Sequence, residues 1–145
     1  MSRPKVLVVE DDEDLRRGLT LRVTSLGYEV VSAQDGISAV SVARTERPDV
    51  VLLDLGLPGG DGISVLERYA NMATLSGIPV VVLTGRDPLV AAPAVSRFNV
   101  SAFLRKPADN DQLAGALATA IVGREPDQSA TAIDGAPAPT ATWFG

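Results

Sequence analysis

The 145-residue sequence contains no cysteine and no histidine, and only 4 % of its residues are aromatic. Without cysteine there can be no disulfide, no thiolate metal site and no cysteine nucleophile. Without histidine there can be no imidazole base, no imidazole metal ligand and no phosphohistidine within this sequence. The core must therefore be aliphatic, and any metal site must use oxygen ligands.

Charge and hydropathy narrow the function classes further. The formal net charge is −5, which argues against direct binding to nucleic acid or to anionic membranes. The sequence shows no signal-peptide core and no apolar run long enough to span a membrane. We therefore expect a cytoplasmic protein, and the length suits a single domain with a proper core.

Five short apolar runs alternate with segments in which apolar residues recur at helical spacing. Parallel strands need crossover connections, which are usually helices, so this alternation predicts a doubly wound parallel sheet of the α/β class. The predicted strands are residues 5–9, 28–33, 50–53, 80–83 and 102–105.

Helix signals fill the segments between the strands. Asp12 is the expected N-cap of the first helix, which ends at Gly27. Its apolar face consists of Leu15, Leu19, Val23 and Leu26. Further helices are predicted at about residues 37–46, 63–72 and 110–122. Asp87 and the proline after it are typical of a helix start, but Pro93 would cost about 3 kcal/mol inside that helix. We therefore expect a short fourth helix at about residues 92–98.

The last segment of the sequence has a different composition. Residues 125–145 are rich in Pro, Ala and Thr and show no periodicity, which predicts a disordered tail or linker at 124–145 after a domain at 1–123. The only tryptophan, Trp143, lies in this tail. It is either part of a linker or part of a docking segment that folds onto a partner or back onto the domain.

Polar residues follow four of the predicted strands at the points where the strands end. They are Glu10 and Asp11, then Asp54, Thr84 and Lys106. Because the carboxyl ends of parallel strands lie at one edge of a sheet, we expect these side chains to converge.

The convergence of these groups predicts a chemistry. Carboxylates about 4 Å apart repel each other by roughly 1 kcal/mol in water and by about 4 kcal/mol at a partly buried site. Such a cluster needs a cation or a raised pKa. Mg²⁺ is the natural candidate, because it prefers oxygen ligands and binds phosphate. A lysine and a hydroxyl at the same edge suit a phosphoryl group. The residues therefore predict Mg²⁺-dependent phosphoryl transfer to or from a carboxylate.

Four stretches of the sequence resemble the receiver domain of two-component response regulators, the CheY-like fold. They are Val8-Val9-Glu10-Asp11, Leu53-Asp54-Leu55-x-Leu57-Pro58-x-x-Asp61-Gly62, Val82-Leu83-Thr84-Gly85 and Phe103-Leu104-Arg105-Lys106-Pro107. They occur in the family's order and at its spacing, and the resemblance covers about residues 4–123. It implies a flavodoxin-like sheet of five parallel strands, in the order 2-1-3-4-5, flanked by five helices.

The resemblance also implies a role for each site residue. Asp54 would be the phosphoryl acceptor. Asp11, Asp54 and the main-chain carbonyl of Gly56 would bind Mg²⁺ directly, and Glu10 would bind it through a water molecule. Lys106 would pair with the phosphoryl oxygens. Gly56 departs from the family pattern, because most receivers have a side chain there that shields the site.

Two further residues would form the switch of a receiver. Thr84 would move to hydrogen-bond the phosphoryl group, and Phe103 would swing inward behind it. The alternative for Phe103 is a plain core residue, because an aromatic residue in a strand needs no switch. The bond between Lys106 and Pro107 would be cis, as in the family.

The resemblance implies partners as well. The phosphodonor would be a histidine kinase or a phosphotransfer protein, and the output would be contact with a downstream protein. Unless the sequence is a fragment, no DNA-binding domain follows residue 124, so we expect no direct DNA binding; a monomer and a phosphorylation-dependent dimer are both open. The protein would turn over no metabolite and would not be an enzyme. Two alternatives stay open: an unphosphorylated interaction module of the same fold, and a small phosphatase with an aspartate nucleophile. The phosphatase is disfavoured because it would need a second aspartate at the position of Gly56.

Overall fold

The structure, a computed structural model, describes residues 3–57, 61–85, 87–123 and 142–144. Within these residues strands and helices alternate along the chain. The strands are β1 (Lys5–Val9), β2 (Glu29–Ala33), β3 (Val50–Asp54), β4 (Val80–Thr84), β5 (Val100–Arg105) and β6 (Thr142–Phe144). The helices are α1 (Glu13–Ser25), α2 (Gly36–Glu46), α3 (Asp61–Ala70), α4 (Pro88–Val95) and α5 (Asn110–Gly123).

All strands of the sheet are parallel, and their order is β2-β1-β3-β4-β5-β6. The order of the first five strands and the five helices confirm the predicted fold class. Every residue of β3 and of β4 is buried, as expected for strands covered on both faces. Among the described residues, none of the helices combines the length and the apolar character that crossing a membrane requires.

The helices cover the two faces of the sheet with separate apolar cores. On one face α2, α3 and α4 pack against the strands, with Ala39, Leu66 and Val95 among the buried residues. On the other face α1 and α5 do so, with Val23 and Leu113 buried. The sheet is thus held between two aliphatic layers, which leaves its carboxyl edge as the place where polar side chains can collect.

Capping side chains set where two helices begin. Asp12 is the N-cap of α1, as predicted, and its Oδ1 accepts the Leu15 N–H at 3.0 Å. Asp35 caps α2, where its Oδ1 accepts the Ser38 N–H at 2.8 Å and the Ser38 hydroxyl accepts the Asp35 N–H at 3.3 Å. These caps satisfy backbone donors that the first turn of a helix leaves unpaired.

The prediction of the fourth helix was wrong in its position. The expected helix at residues 92–98 is replaced by α4 at Pro88–Val95, so that Pro93 lies inside it. Asp87 is the N-cap, and its Oδ1 accepts the Leu89 N–H at 2.9 Å. A proline at the first helical position costs no intrahelical hydrogen bond. The N-cap at Asp87 and the proline after it therefore determined where α4 begins.

Packing explains why α4 tolerates an internal proline. Pro93 lacks the N–H that would pair with a carbonyl of the preceding turn. The helix has only eight residues, and two of them, Ala91 and Val95, are buried in the core one turn apart. We infer that this burial offsets the hydrogen bond that Pro93 cannot donate.

β6 falls in the segment for which the sequence predicts a disordered tail. Residues 124–141 and 145 of that segment lie outside the described residues. Thr142–Phe144, in contrast, pair with β5 in parallel. For these three residues the structure has a strand in place of the predicted disorder, and the sheet gains a sixth strand. So short a segment pairs through contacts distant in sequence, which local patterns do not reveal.

Candidate functional site

The predicted site residues meet at the carboxyl edge of the sheet. Glu10 follows β1, Asp54 and Thr84 end β3 and β4, and Lys106 follows β5. Neighbouring strands stay paired up to these ends, and the one register shift, between β4 and β5, lies at the opposite end at Val80. The parallel arrangement therefore brings together side chains that are up to 96 residues apart in the sequence.

Asp54 is a buried carboxylate whose two oxygens face different polar groups. Asp54 is only 7 % exposed. Its Oδ1 accepts the Gly56 N–H at 3.0 Å, and its Oδ2 lies 3.3 Å from Nζ of Lys106. A backbone donor and a cation thus hold the carboxylate in one orientation.

Glu10 is the second buried carboxylate, and it is 1 % exposed. Its Oε1 accepts a hydrogen bond from Nζ of Lys106 at 2.9 Å, and its Oε2 accepts the Asp12 N–H at 3.3 Å. Burial raises the pKa of Glu10, and the charge of Asp54 raises it further, whereas the hydrogen bond from Lys106 opposes the shift. The ionised form of Glu10 therefore depends on Lys106.

Lys106 lies between the two buried carboxylates. Burial disfavours its charged form, but the hydrogen bond to Glu10 and the charge of Asp54 outweigh that effect, so the pKa of Lys106 is above its usual value. Its main-chain N–H donates to the carbonyl of Thr84 at 2.7 Å, which ties the end of β5 to the end of β4. The bond to Pro107 is cis, as the resemblance implied.

Asp11 completes an acidic group with the chemistry of a metal site. Glu10, Asp11 and Asp54 each offer one carboxylate oxygen, and these oxygens lie within 4.8 Å of one another. Asp11 is exposed, whereas the other two are buried. Hard oxygen ligands with one side open to water suit Mg²⁺, which keeps several water ligands. The residues present therefore fit the ion that the sequence predicts.

The two predicted switch residues are both buried. Thr84 lies at the end of β4, and Phe103 lies in β5 within the core that α3 and α4 cover. The movement of Thr84 and Phe103 stays a prediction.

Two residues support the site in ways that the sequence alone does not reveal. Arg16 on α1 donates from Nη1 to the carbonyl of Glu10 at 2.9 Å. A Cβ atom on Gly62 would lie 2.6 Å from Cα of Leu55 and 2.9 Å from the carbonyl oxygen of Asp54. Glycine therefore lets α3 begin against the end of β3. Neither role has a local sequence signal, because both depend on contacts made only in the fold.

A cleft of about 210 Å³ adjoins the site between α1 and the loop after β5. Glu10 and Lys106 line it, together with Leu15 and Leu19 of α1. Leu15 was predicted to lie on the apolar face of the helix, but it is 52 % exposed. An apolar side chain beside the charged site is thus open to contact with another molecule.

Comparison with known sequences identifies the family. The family model described as the response regulator receiver domain matches residues 6–118. The chain is 36 % identical over 129 residues to the transcriptional regulatory protein GlrR of Escherichia coli (strain K12), a match that covers 89 % of this chain and 28 % of GlrR. It is 30 % identical over 119 residues to protein PilH of Pseudomonas aeruginosa, covering 82 % of this chain and 98 % of PilH. The chain therefore spans under a third of GlrR and nearly all of PilH.

Solved structures agree with this assignment. The receiver domain of the sensor histidine kinase PA1611 from Pseudomonas aeruginosa PAO1, solved with a magnesium ion coordinated in its active site cleft, has a TM-score of 0.75 at 28 % identity and is matched over 84 % of this chain and 99 % of that one. The chemotaxis protein CheY4 of Vibrio cholerae has the same fold, with a TM-score of 0.77 at 24 % identity over 82 % of this chain and 99 % of its own. These matches, together with the cluster of Glu10, Asp11, Asp54 and Lys106 at the carboxyl edge of the sheet, show that the chain belongs to the response regulator receiver domain family of two-component signal transduction.

Proposed function

We propose that this receiver domain accepts a phosphoryl group on Asp54 from a phosphohistidine of a histidine kinase or phosphotransfer protein, with Mg²⁺ as cofactor. The observation that carries the proposal is the surroundings of Asp54. It is a buried carboxylate at the end of the central strand, with Lys106 3.3 Å from one oxygen and with Glu10 and Asp11 beside it. Receiver domains interact with histidine kinases and with downstream partners, and this group of residues suits the transfer of a phosphoryl group from such a kinase.

The reaction transfers one phosphoryl group between two proteins. A carboxylate oxygen of Asp54 attacks the phosphorus of the donor phosphohistidine and forms a new O–P bond. The N–P bond breaks, and its electron pair stays on the imidazole nitrogen of the donor. The Gly56 N–H already orients the attacking carboxylate, at 3.0 Å from Oδ1, so little side-chain freedom is lost when the donor arrives.

Four groups would hold the magnesium ion. Asp11 and Asp54 would bind it directly, with the main-chain carbonyl of Gly56. Glu10 would act through a water molecule, as the resemblance to receiver domains implies, while its two oxygens accept hydrogen bonds from Lys106 and from a backbone N–H. When bound, the ion supplies positive charge that offsets the repulsion between these carboxylates and the phosphoryl oxygens.

Lys106 and Thr84 would receive the phosphoryl group once it is attached. The ammonium group of Lys106 lies close enough to Asp54 to contact a phosphoryl oxygen instead, and such a charge-assisted hydrogen bond is among the strong ones. The Thr84 hydroxyl would donate a second hydrogen bond. Because the Lys106 N–H is bonded to the Thr84 carbonyl, the two residues would respond together.

The output would be an altered protein surface, and the domain would act as a switch that turns over no metabolite. A phosphoryl group adds nearly two negative charges at Asp54. Movement of Thr84 and Phe103 would transmit this change to β5 and α4. The sequence of α4 contains no charged residue, and Leu89 on it is 85 % exposed. An exposed apolar helix beside the switch strand is a suitable contact surface for a downstream protein.

Intact-mass spectrometry tests this function. The protein is incubated with Mg²⁺ and either acetyl phosphate or phosphoramidate, whose N–P bond resembles that of phosphohistidine. We expect wild type to gain the mass of one phosphoryl group, and we expect no gain for Asp54→Ala or for wild type with the metal chelated by EDTA. Absence of any gain on wild type with both donors would contradict the proposal. Steady hydrolysis of a generic phosphomonoester would favour the phosphatase instead.

A further inference from the structure

The five strands β1 to β5, taken without β6, form a sheet whose two edge strands, β2 and β5, differ in how they are protected from pairing with other strands. At one edge, β2 exposes Glu29, whose carboxylate lies 3.7 Å from Nζ of Lys5. Charged groups on an edge strand discourage pairing with other strands. At the other edge, β5 is mainly apolar, and only Arg105 of its residues is exposed. By itself β5 would present an apolar edge with unpaired backbone groups, which favours the addition of another strand.

β6 covers the edge of β5. Its three residues are paired in parallel with Ala102, Phe103 and Leu104, in that order. The strand therefore lies against the segment of β5 that contains Phe103 and that leads into Lys106. Because α5 returns the chain along the sheet before β6 begins, the pairing has the topology of an ordinary strand–helix–strand crossover.

The connection to β6 is long enough for pairing within one molecule. Residues 124–141 join α5 to β6, and these 18 residues could span at most roughly 60 Å, at about 3.3–3.6 Å per residue. A tethered ligand of this kind has an effective concentration in about the millimolar range. Even the weak pairing of three residues can then be populated without a second molecule.

We propose that the edge of β5 is a strand-accepting surface and that its resident ligand is the segment 142–144 of the same molecule. The segment binds by β-strand addition, through main-chain hydrogen bonds. A protein that recognises this edge must first displace the segment. The proposal does not depend on phosphorylation of Asp54, and it concerns a surface on the opposite side of β5 from β4.

The two sides of β5 can be told apart by their amides. The Lys106 N–H points toward β4, since it donates to Thr84. Backbone direction alternates along a strand, so the Leu104 amide also faces β4, whereas the amides of Phe103 and Arg105 face β6. Hydrogen exchange at Phe103 and Arg105 therefore reports on β6, and exchange at Leu104 is the internal reference.

The test measures this exchange in wild type and in a variant that cannot pair. The variant Thr142→Pro/Phe144→Pro cannot form the ladder, because proline lacks the N–H that a ladder uses. We expect exchange at Phe103 and Arg105 to be several-fold faster in this variant than in wild type, with exchange at Leu104 unchanged.

A matched variant adds the same two prolines outside β6. Hydrogen exchange in Ala130→Pro/Ala132→Pro should equal that in wild type. Equal exchange at Phe103 and Arg105 in wild type and Thr142→Pro/Phe144→Pro would overturn the proposal. Protection in wild type that disappears on serial dilution would overturn it as well, because the segment would then come from a second copy of the chain.

Discussion

The bodies of the central strands and their carboxyl ends are both buried, yet their burial has opposite consequences. In β3, the residues before Asp54 are apolar and fully buried between the two helical layers. Their removal from water stabilises the fold. Asp54 at the end of β3 and Glu10 directly after β1 are buried carboxylates, and removing polar groups from water costs free energy unless they find partners. The same strands thus provide stability along their length and reactivity at their ends, with Lys106 offsetting part of the cost.

Replacing Asp54 with asparagine should separate reactivity from stability most completely. Phosphoryl uptake should be lost entirely, because an amide is no nucleophile for this transfer. Stability toward urea should equal or exceed that of wild type, because repulsion with Glu10 disappears while Lys106 keeps its bond to Glu10. Intact mass and urea unfolding measure the two effects. A large loss of stability would show that Asp54 supports the fold as the strand bodies do.

The converse substitution is Leu52→Ala, in the body of β3. Leu52 is fully buried in the core that α1 and α5 cover, so truncation should lower the free energy of unfolding by about 2–5 kcal/mol. Where the variant is folded, Asp54 should still take up a phosphoryl group. Leu21→Ala is the control, because Leu21 is exposed on α1, and its effect should stay within about 0.5 kcal/mol.

Lys106→Met tests whether the strand ends need their shared cation. Glu10 would be left buried without its ion pair, which should cost about 1–3 kcal/mol of stability and should slow phosphorylation. Adding Glu10→Gln should recover part of the lost stability, because the buried charge is removed too. Strictly additive losses in urea unfolding would mean that Lys106 and Glu10 are not coupled.

Gly62→Ala tests the junction between the body and the end of β3. The added methyl group would meet backbone atoms of Leu55 and Asp54, so we expect a loss of about 1–3 kcal/mol and slower phosphorylation as Asp54 shifts. Gly115→Ala in α5 is the matched control. Among the described residues, no atom beyond its chain neighbours and its own helix backbone lies within 4 Å of its Cβ position. It should raise stability by about 0.5–1 kcal/mol. Equal effects of the two substitutions would contradict the close approach at Gly62.

Tyr69→Phe has the smallest expected effect and concerns a polar group outside the site. The Tyr69 hydroxyl donates to the Ala39 carbonyl at 2.7 Å, so its loss should cost about 1 kcal/mol at neutral pH. Burial raises the pKa of Tyr69 above its usual value of 10.0. The stability that Tyr69 contributes is therefore full below about pH 10 and falls as the pH rises further.

The free energy of unfolding, measured across the alkaline pH range, tests this predicted fall in stability with rising pH. The difference in stability between wild type and Tyr69→Phe should shrink above about pH 10, and phosphorylation at neutral pH should be unchanged. A difference that stays constant with pH would show that Tyr69 titrates alike in the folded and unfolded protein.

The parts of the structure that the sequence predicts best are those in which local pattern and tertiary environment agree. β1 was predicted at the bounds that the structure has, because a short apolar run between Pro4 and Glu10 has no competing interpretation. The convergence of Glu10, Asp54, Thr84 and Lys106 followed from strand polarity alone. Asp12 was predicted as a helix cap from its position before an acidic first turn.

The features that the sequence did not predict depend on contacts between residues distant in sequence. α4 was displaced because Asp87 and Pro93 give conflicting local signals. The start signal at Asp87 prevails, since the burial of Ala91 and Val95 offsets the hydrogen bond that Pro93 cannot donate. Leu15 fits the periodicity of α1 but faces the cleft. The separate ion pairs of Lys106 with Glu10 and Asp54, and the pairing of β6 with β5, were not predicted, because they arise only when the sheet has formed.

Peptide mapping of the phosphorylated protein tests the role of Asp54 most directly. Wild type is treated with phosphoramidate and Mg²⁺ and then with borohydride, which reduces an aspartyl phosphate to homoserine. We expect homoserine at position 54 alone, and none in untreated protein or in Asp54→Asn. Homoserine at Asp11 or Asp12, or phosphorylated protein without homoserine at position 54, would contradict the assignment of Asp54 as the acceptor.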